Sequence, residues 1–208
     1  NSISNARLKV GNFSGVTVTK EQVFLNYKNF NIEIIDLPGA YSLNEYTIEE
    51  KVTKDFLNNE KYDIILNVLD STNLQRNLLL TAELLTLDKK MIIALNMSDE
   101  AEKESILIDE IQLSKILGKP CIKTSAAKKN GITKLLDEIL LKFQSQKVPS
   151  KFFFSNVIEE EIENISRVLE ENKYETTETY RQISLGLLKE NKNIYKQFHD
   201  EPIWIKIQ

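Results

Sequence analysis

Apolar and polar positions alternate along this chain in a way that changes character twice. From Gln22 to Tyr27 and again from Phe30 to Ile35 the residues alternate or are β-branched, and a polar Lys28-Asn29 pair lies between them; this predicts a hairpin. The second run stops at Asp36-Leu37-Pro38-Gly39, where Pro and Gly break regular structure. Strand-sized apolar runs then alternate with helical stripes. Helices are expected over Thr47–Leu57, Leu74–Leu87, Ile108–Leu117 and Ile132–Phe143, and strands over Asp63–Leu69, Lys90–Leu95 and Pro120–Thr124. Gly118 suits a helix terminus because it tolerates positive φ. Strands followed by helices, with the strands apolar throughout, predict an α/β fold with a mostly parallel sheet covered on both faces. Ahead of the hairpin, Asn1–Asn5 reads as the tail of a helix and Arg7–Thr19, with Gly11 and Gly15, as an exposed loop.

The alternation ends near Gln144. Gln144–Lys151 is polar, contains Pro149, and reads as a linker. Beyond it the apolar residues fall only at helical spacing, over Val157–Leu169, Tyr180–Leu188 and Ile194–Phe198, which predicts a small helical unit. Glu159-Glu160-Glu161 suits the positive end of a helix dipole, and Trp204 is expected to bury the last turn onto that unit.

Composition narrows the field. With 41% hydrophobic and 28% charged residues among 208, the chain is globular rather than disordered. A net charge of −4 gives no global pull towards nucleic acid. The single Cys121 excludes an intramolecular disulfide and reads as a core residue, and the single His199 builds no metal site alone. No apolar run approaches the ~20 residues that span a bilayer. The chain does not begin with Met, so a fragment is expected.

Four short patterns carry candidate chemistry. Asp36-Leu37-Pro38-Gly39 at a strand end offers a carboxylate for Mg²⁺ and a glycine N–H that a γ-phosphate can approach, since no Cβ intrudes. Asn96-Met97-Ser98-Asp99 at another strand end offers a carboxylate that accepts two N–H bonds from a guanine edge, with the Asn ordering neighbouring loops. Met97 stands where Lys is usual and supplies similar apolar cover. Ser125-Ala126-Ala127 follows the last strand with backbone N–H groups suited to the guanine carbonyl. Thr17, in the loop before the hairpin, offers a hydroxyl for Mg²⁺ in a triphosphate state only, which would make that loop a switch. Each pattern is weak alone. Their order, each near the C-terminal end of a strand where open α/β sheets bind ligands, points jointly to a guanine-nucleotide site.

The wording is narrower still. Val10-Gly11-Asn12-Phe13-Ser14-Gly15-Val16-Thr17, Asp36-Leu37-Pro38-Gly39-Ala40-Tyr41-Ser42-Leu43, Asp70-Ser71-Thr72-Asn73-Leu74-Gln75-Arg76-Asn77-Leu78 and Leu95-Asn96-Met97-Ser98-Asp99 together resemble the ferrous-iron transporter B family. The resemblance is close to about Gln146 and holds only in kind beyond it. It implies a Ras-like P-loop GTPase fold over residues 1–146, a small all-helical domain over 147–208, and GTP binding with slow hydrolysis. It gives Thr17 and Asp36 to Mg²⁺, Gly39 to the γ-phosphate, Asn96 and Asp99 to the base with help from Ser125 and Ala126, and the carbonyls of Gly11 and Phe13 to K⁺. Thr17 and Gly39 are the catalytic candidates. It also implies a place on the cytoplasmic face of a bacterial inner membrane, beside a membrane-spanning iron-permease region of the same protein, and allows a homo-oligomer; nucleic acid is not an expected partner.

Two departures qualify the resemblance. No G-x-x-x-x-G-K-[ST] occurs in the 208 residues, so an N-terminal stretch of roughly 20–30 residues carrying that loop is expected ahead of Asn1. Ala40 follows Gly39 where Ras-like proteins place a water-orienting Gln, so hydrolysis is expected to be slow and cation-assisted. Other readings are a soluble ribosome-associated GTPase, a regulatory module with incidental hydrolysis, and a pseudo-GTPase. The mixed, Glu-rich tail argues against the first.

Overall fold

The structure is a computed structural model and describes residues 7–13, 15–43, 47–147, 151–176, 178–199 and 201–207; the helix tail expected at Asn1–Asn5 lies outside them. Three antiparallel strands open the chain: β1 (Arg7–Asn12), β2 (Thr19–Tyr27) and β3 (Phe30–Asp36). Between β2 and β3, Lys28 and Asn29 both take positive φ, 44° and 65°. That is the requirement of a two-residue turn whose twist matches its strands. The expected loop over Arg7–Thr19 is corrected, because its first half is β1. Arg7 to Asn12 pairs residue by residue with Phe24 to Thr19. Pairing with β2 overrides the low strand preference of Gly11 and Asn12. Only residues 13–18 remain a loop, closed by the Phe13 N–H donating to the Val18 carbonyl at 3.0 Å and bent at Gly15, φ 76°.

The second half of the fold alternates as expected. α1 (Ile48–Asn59) starts at Thr47, whose hydroxyl accepts from the Glu50 N–H at 3.1 Å. β4 (Ile65–Asp70) runs through a short 3₁₀ turn into α2 (Leu74–Leu85), then β5 (Met91–Asn96). A six-residue α3 (Ser98–Lys103) follows, then α4 (Glu110–Leu117), β6 (Cys121–Lys123) and α5 (Ile132–Gln144). Gly118 ends α4 at φ 63°, as its position predicts. The sequence pattern does not announce α3: of its six residues only Ala101 is buried, so no apolar stripe marks it.

Among the described residues the strands form two three-stranded sheets, the antiparallel β1-β2-β3 and the parallel β4-β5-β6. β5 is the centre of the parallel sheet, and Met91 to Leu95 are all buried. On one face Leu69, Met91, Ile93 and Leu95 pack with Leu84 and Leu85 of α2 and with Cys121. On the other, Ile92, Ala94 and Ile122 pack under Leu135 of α5.

Past residue 150 only helices occur among the described residues: α6 (Asn156–Glu171), α7 (Tyr180–Leu188), α8 (Lys192–Phe198) and α9 (Trp204–Ile207). They share a core of Ile165, Leu169, Ile183, Leu187, Ile194, Phe198 and Ile203. Trp204 packs edge-on against Tyr195 at 5.0 Å. Glu159 does more than face a helix dipole. Both its oxygens accept from Arg181 of α7, at 2.6 and 2.8 Å. Two ion pairs tie these helices to the first half, Lys54 with Glu178 at 2.7 Å and Glu83 with Lys189 at 3.4 Å.

Candidate functional site

Parallel register brings the ends of the central strands side by side. Asp70 stands opposite Asn96, and Leu95 opposite Lys123, so whatever follows β5 meets whatever follows β6. After β5 the chain reverses at Met97, in the left-handed region at φ 56°, and enters α3 directly. The Ser98 N–H and hydroxyl both donate to the Thr124 carbonyl, at 3.1 and 3.0 Å. After β6, residues 125–130 fold into a compact loop closed by reciprocal 3.0 Å bonds between Ser125 and Asn130. Lys129 and Gly131 supply its positive φ values, 55° and 73°. Gly131 is required for a second reason: a Cβ there would stand 2.1 Å from the Lys123 carbonyl oxygen.

Side chains join these two segments. The Asn96 Oδ1 accepts from the Ala126 N–H at 3.1 Å and from the Thr124 hydroxyl at 3.4 Å. The Asp99 side chain, 14% exposed, receives the Lys128 ammonium at 3.2 Å. Above all the Ser125 hydroxyl, and then Lys128, hold the Asp99 carboxyl below the usual carboxylate range, against a burial effect of opposite sign. Asn96, Asp99, Ser125 and Ala126 are thus brought together. The Ser125 and Ala126 N–H groups, expected as donors to a base carbonyl, are committed to Asn130 and Asn96.

The other expected residues form a different arrangement. Asp36 closes β3, exposed, and no described residue hydrogen-bonds to its carboxylate. The Pro38 carbonyl accepts from the Thr53 hydroxyl at 3.1 Å, which ties the D-x-x-G turn to α1. A Cβ built on Gly39 would meet nothing within 4 Å, so the turn is open to close approach. Thr17 is exposed in the 13–18 loop. Gly11 is in β1, paired with Lys20, rather than in a loop. The Phe13 carbonyl accepts from the Val16 N–H at 3.3 Å, while its ring is buried edge-on against Phe56 of α1 at 6.0 Å. Among the described residues no hydrogen bond or ion pair joins this arrangement to the Asn96–Asp99 corner. A surface depression of about 550 Å³ beside the α6–α7 connection is lined by none of these residues.

Sequence reasoning missed Lys128, Ser98 and Thr124. Thr124 and Ser98 act through the Thr124 carbonyl, which no residue type signals. Lys128 was open to discovery as the first charge after Ser125-Ala126-Ala127, but nothing in its spacing says that the loop turns it back on Asp99.

Known proteins resemble this chain in sequence and in fold. A sequence model described as Ferrous iron transport protein B matches residues 1–139. The chain is 55% identical over 163 residues to the Fe(2+) transporter FeoB of Helicobacter pylori, covering 74% of this chain and 25% of that protein. It therefore spans about a quarter of the length of the curated relatives it matches. Among solved structures, the cytosolic domain of T. maritima FeoB in a GDP form superposes with a TM-score of 0.86 at 31% identity, over 95% of this chain and 78% of that one. The same domain in a GMPPNP form gives 0.84 at 31% identity, over 95% and 77%. The cytosolic domain of L. pneumophila FeoB gives 0.82 at 34% identity, over 100% and 82%. With the Ras-like G-domain architecture of those neighbours and a family match over most of its length, this chain belongs to the ferrous iron transport protein B family.

Proposed function

We propose that residues 1–146 bind guanine nucleotide and slowly hydrolyse GTP, that residues 147–208 form the helical domain, and that together they regulate ferrous-iron uptake from the cytoplasmic face of a bacterial inner membrane. The observation that carries this reading is the corner at the ends of β5 and β6. There an ionised carboxylate, Asp99, sits beside an amide, Asn96, that is already bonded to the neighbouring loop. A carboxylate so placed accepts the paired N1–H and N2–H of guanine, and adenine has no matching donor pair. Met97, 40% exposed, offers apolar cover for a base. Ser125 and Ala126 serve the base by holding Asp99 and Asn96 in place. The relative solved in GDP and GMPPNP forms supports the same ligand class for this chain.

Mg²⁺ fits the residues present. Asp36 at the end of β3 and Thr17 in the 13–18 loop are both exposed oxygen donors, and Mg²⁺ commonly takes one or two protein oxygens and completes its shell with phosphate and water. Asp36 and Thr17 would supply those oxygens; bound there, the ion would neutralise charge on the β- and γ-phosphates. Gly39 would offer its N–H to the γ-phosphate. K⁺ would take carbonyl oxygens near Gly11 and Phe13, where the Phe13 carbonyl holds one long bond and retains acceptor capacity. Ala40 cannot orient a water, which keeps hydrolysis slow.

A purely regulatory reading is favoured by one contact. The Leu43 N–H, four residues past Gly39, donates to the buried Glu83 at 2.5 Å, and Glu83 also meets Lys189, the residue that caps the end of α7. Hydrolysis would then be incidental to a conformational signal passed to the helices. No helix among the described residues is long and apolar enough to cross a membrane. Calorimetry on the intact protein tests the main reading. Micromolar GDP and GTP binding, with ADP at least 100-fold weaker, is the expected result; binding of neither guanine nucleotide rejects it. Phosphate release in KCl against NaCl, with and without Mg²⁺, separates slow hydrolysis from the purely regulatory alternative.

A further inference from the structure

The 125–130 loop does more than support Asn96. It returns a cation onto the carboxylate proposed to read the base. Lys128 reaches Asp99 Oδ2 at 3.2 Å, and the two side chains differ sharply in exposure, 57% for the lysine and 14% for the aspartate. The loop that aims it is closed at both ends. The Lys128 N–H donates to the Ser125 hydroxyl oxygen at 3.2 Å, Ser125 and Asn130 bond reciprocally, and Gly131 lies hard against the Lys123 carbonyl.

An ionised carboxylate has about four lone-pair positions. Ser125, 2% exposed, holds its contact to Asp99 from within the protein. Lys128 sits on the outer side, on a long flexible stem. Of the two, the ammonium is the partner that an incoming base can displace. We infer that Lys128 is an intramolecular competitor for the guanine-reading carboxylate, pairing Asp99 when no base is bound and yielding only to a ligand edge that offers two adjacent N–H donors. This rests on the assignment of Asp99 to guanine and deepens it. The lysine lowers affinity for every guanine nucleotide. Adenine presents no donor pair to replace the ammonium, leaves the ion pair intact and so does not bear this cost, which means that the lysine narrows the margin between guanine and adenine.

The test compares Lys128→Gln, Asp99→Asn and the double variant in the intact protein, titrated with GDP, ADP and xanthosine diphosphate. Lys128→Gln should bind GDP about two- to five-fold more tightly, the range an exposed ion pair supports, with ADP binding unchanged and the GDP-over-ADP ratio larger by the same factor. Asp99→Asn presents one acceptor and one donor in place of two acceptors, so preference should pass to xanthosine diphosphate. In that background Lys128→Gln should change xanthosine diphosphate binding by less than about 1.5-fold, because the carboxylate is gone. If Asp99→Asn does not move preference towards xanthine, the base assignment fails and the competitor role falls with it. If preference moves but Lys128→Gln leaves GDP affinity unchanged or weaker, only the competitor role is overturned. Equal tightening with and without the Asp99 carboxylate overturns it as well.

Discussion

At the ends of β5 and β6, Asn96, Asp99, Ser125, Ala126 and Lys128 are bonded to one another; at the end of β3 and in the 13–18 loop, Asp36 and Thr17 are exposed and hold no described side-chain partner. The first region is finished by the protein's own hydrogen bonds before any ligand arrives. The second offers oxygen atoms and an open glycine turn that only a ligand would organise. On the proposed reading, a site assembled this way would keep base recognition constant and leave the phosphate and metal side free to differ between nucleotide states. Internal hydrogen bonds also make the first region part of the stability of the fold, while the second contributes little to it.

The comparison is broken most severely at Gly131. Replacing it with Ala forces a Cβ into the Lys123 carbonyl at a left-handed φ of 73°. We expect a loss of about 3 kcal/mol by urea denaturation, together with weakened guanine binding as the 125–130 loop is displaced. Next comes Asn96→Ala. It strips the Ala126 N–H of its acceptor and should cost about 1–2 kcal/mol, so the base corner would report in both a stability and a binding assay. Equal stability of that variant and the parent would mean the corner is not prebuilt.

Titration sharpens the contrast. The folded Asp99 carboxyl is held down chiefly by the Ser125 hydroxyl and secondarily by Lys128. A lowered carboxyl pKa means stabilisation that is present above the ordinary Asp value of about 3.9 and lost as pH falls through the lower folded value. Nuclear magnetic resonance of the Asp99 carboxyl carbon should therefore find it ionised at pH 4. Ser125→Ala should raise its midpoint more than Lys128→Gln does. The smallest expected effect is Asp36→Asn on stability, within about 0.5 kcal/mol, even as the Mg²⁺-dependent affinity for GTP falls at least about ten-fold. A stability loss as large as that of Asn96→Ala would erase the distinction between the two regions.

Much of this was legible in the residues. Buried parallel strands read as continuous apolar runs, so β4, β5 and β6 were visible. Lys28-Asn29 and Gly118 stand where the backbone needs positive φ, and α7 begins and ends where its apolar spacing does. The nearness of Asn96 and Asp99 to Ser125 followed from their places after adjacent strands. What stayed hidden was set by partners distant in the chain. β1 exists because β2 is there to pair with it, since Gly11 and Asn12 alone do not favour a strand. α3 is too short and too charged to carry a period. Lys128 gains its meaning from a loop reversal, and the buried Glu83 from the Leu43 N–H and Lys189 on either side of it.

The hairpin of β2 and β3 is anchored at both ends, since the Pro38 carbonyl, two residues past β3, accepts from the Thr53 hydroxyl of α1. At its tip the Tyr27 hydroxyl and the Lys28 ammonium both bond to Asp137 of α5 at 2.6 Å, and Phe30 packs edge-on against Phe143 at 6.1 Å. Asp36 is the last of the seven residues of β3, at its opposite end. β3 therefore bridges two helices about 20 Å apart along the strand, α5 under the tip and α1 under the turn after Asp36. On the proposed reading a shift of either helix would be passed along this one strand to the metal and phosphate side, while the base corner is mounted on β5 and β6.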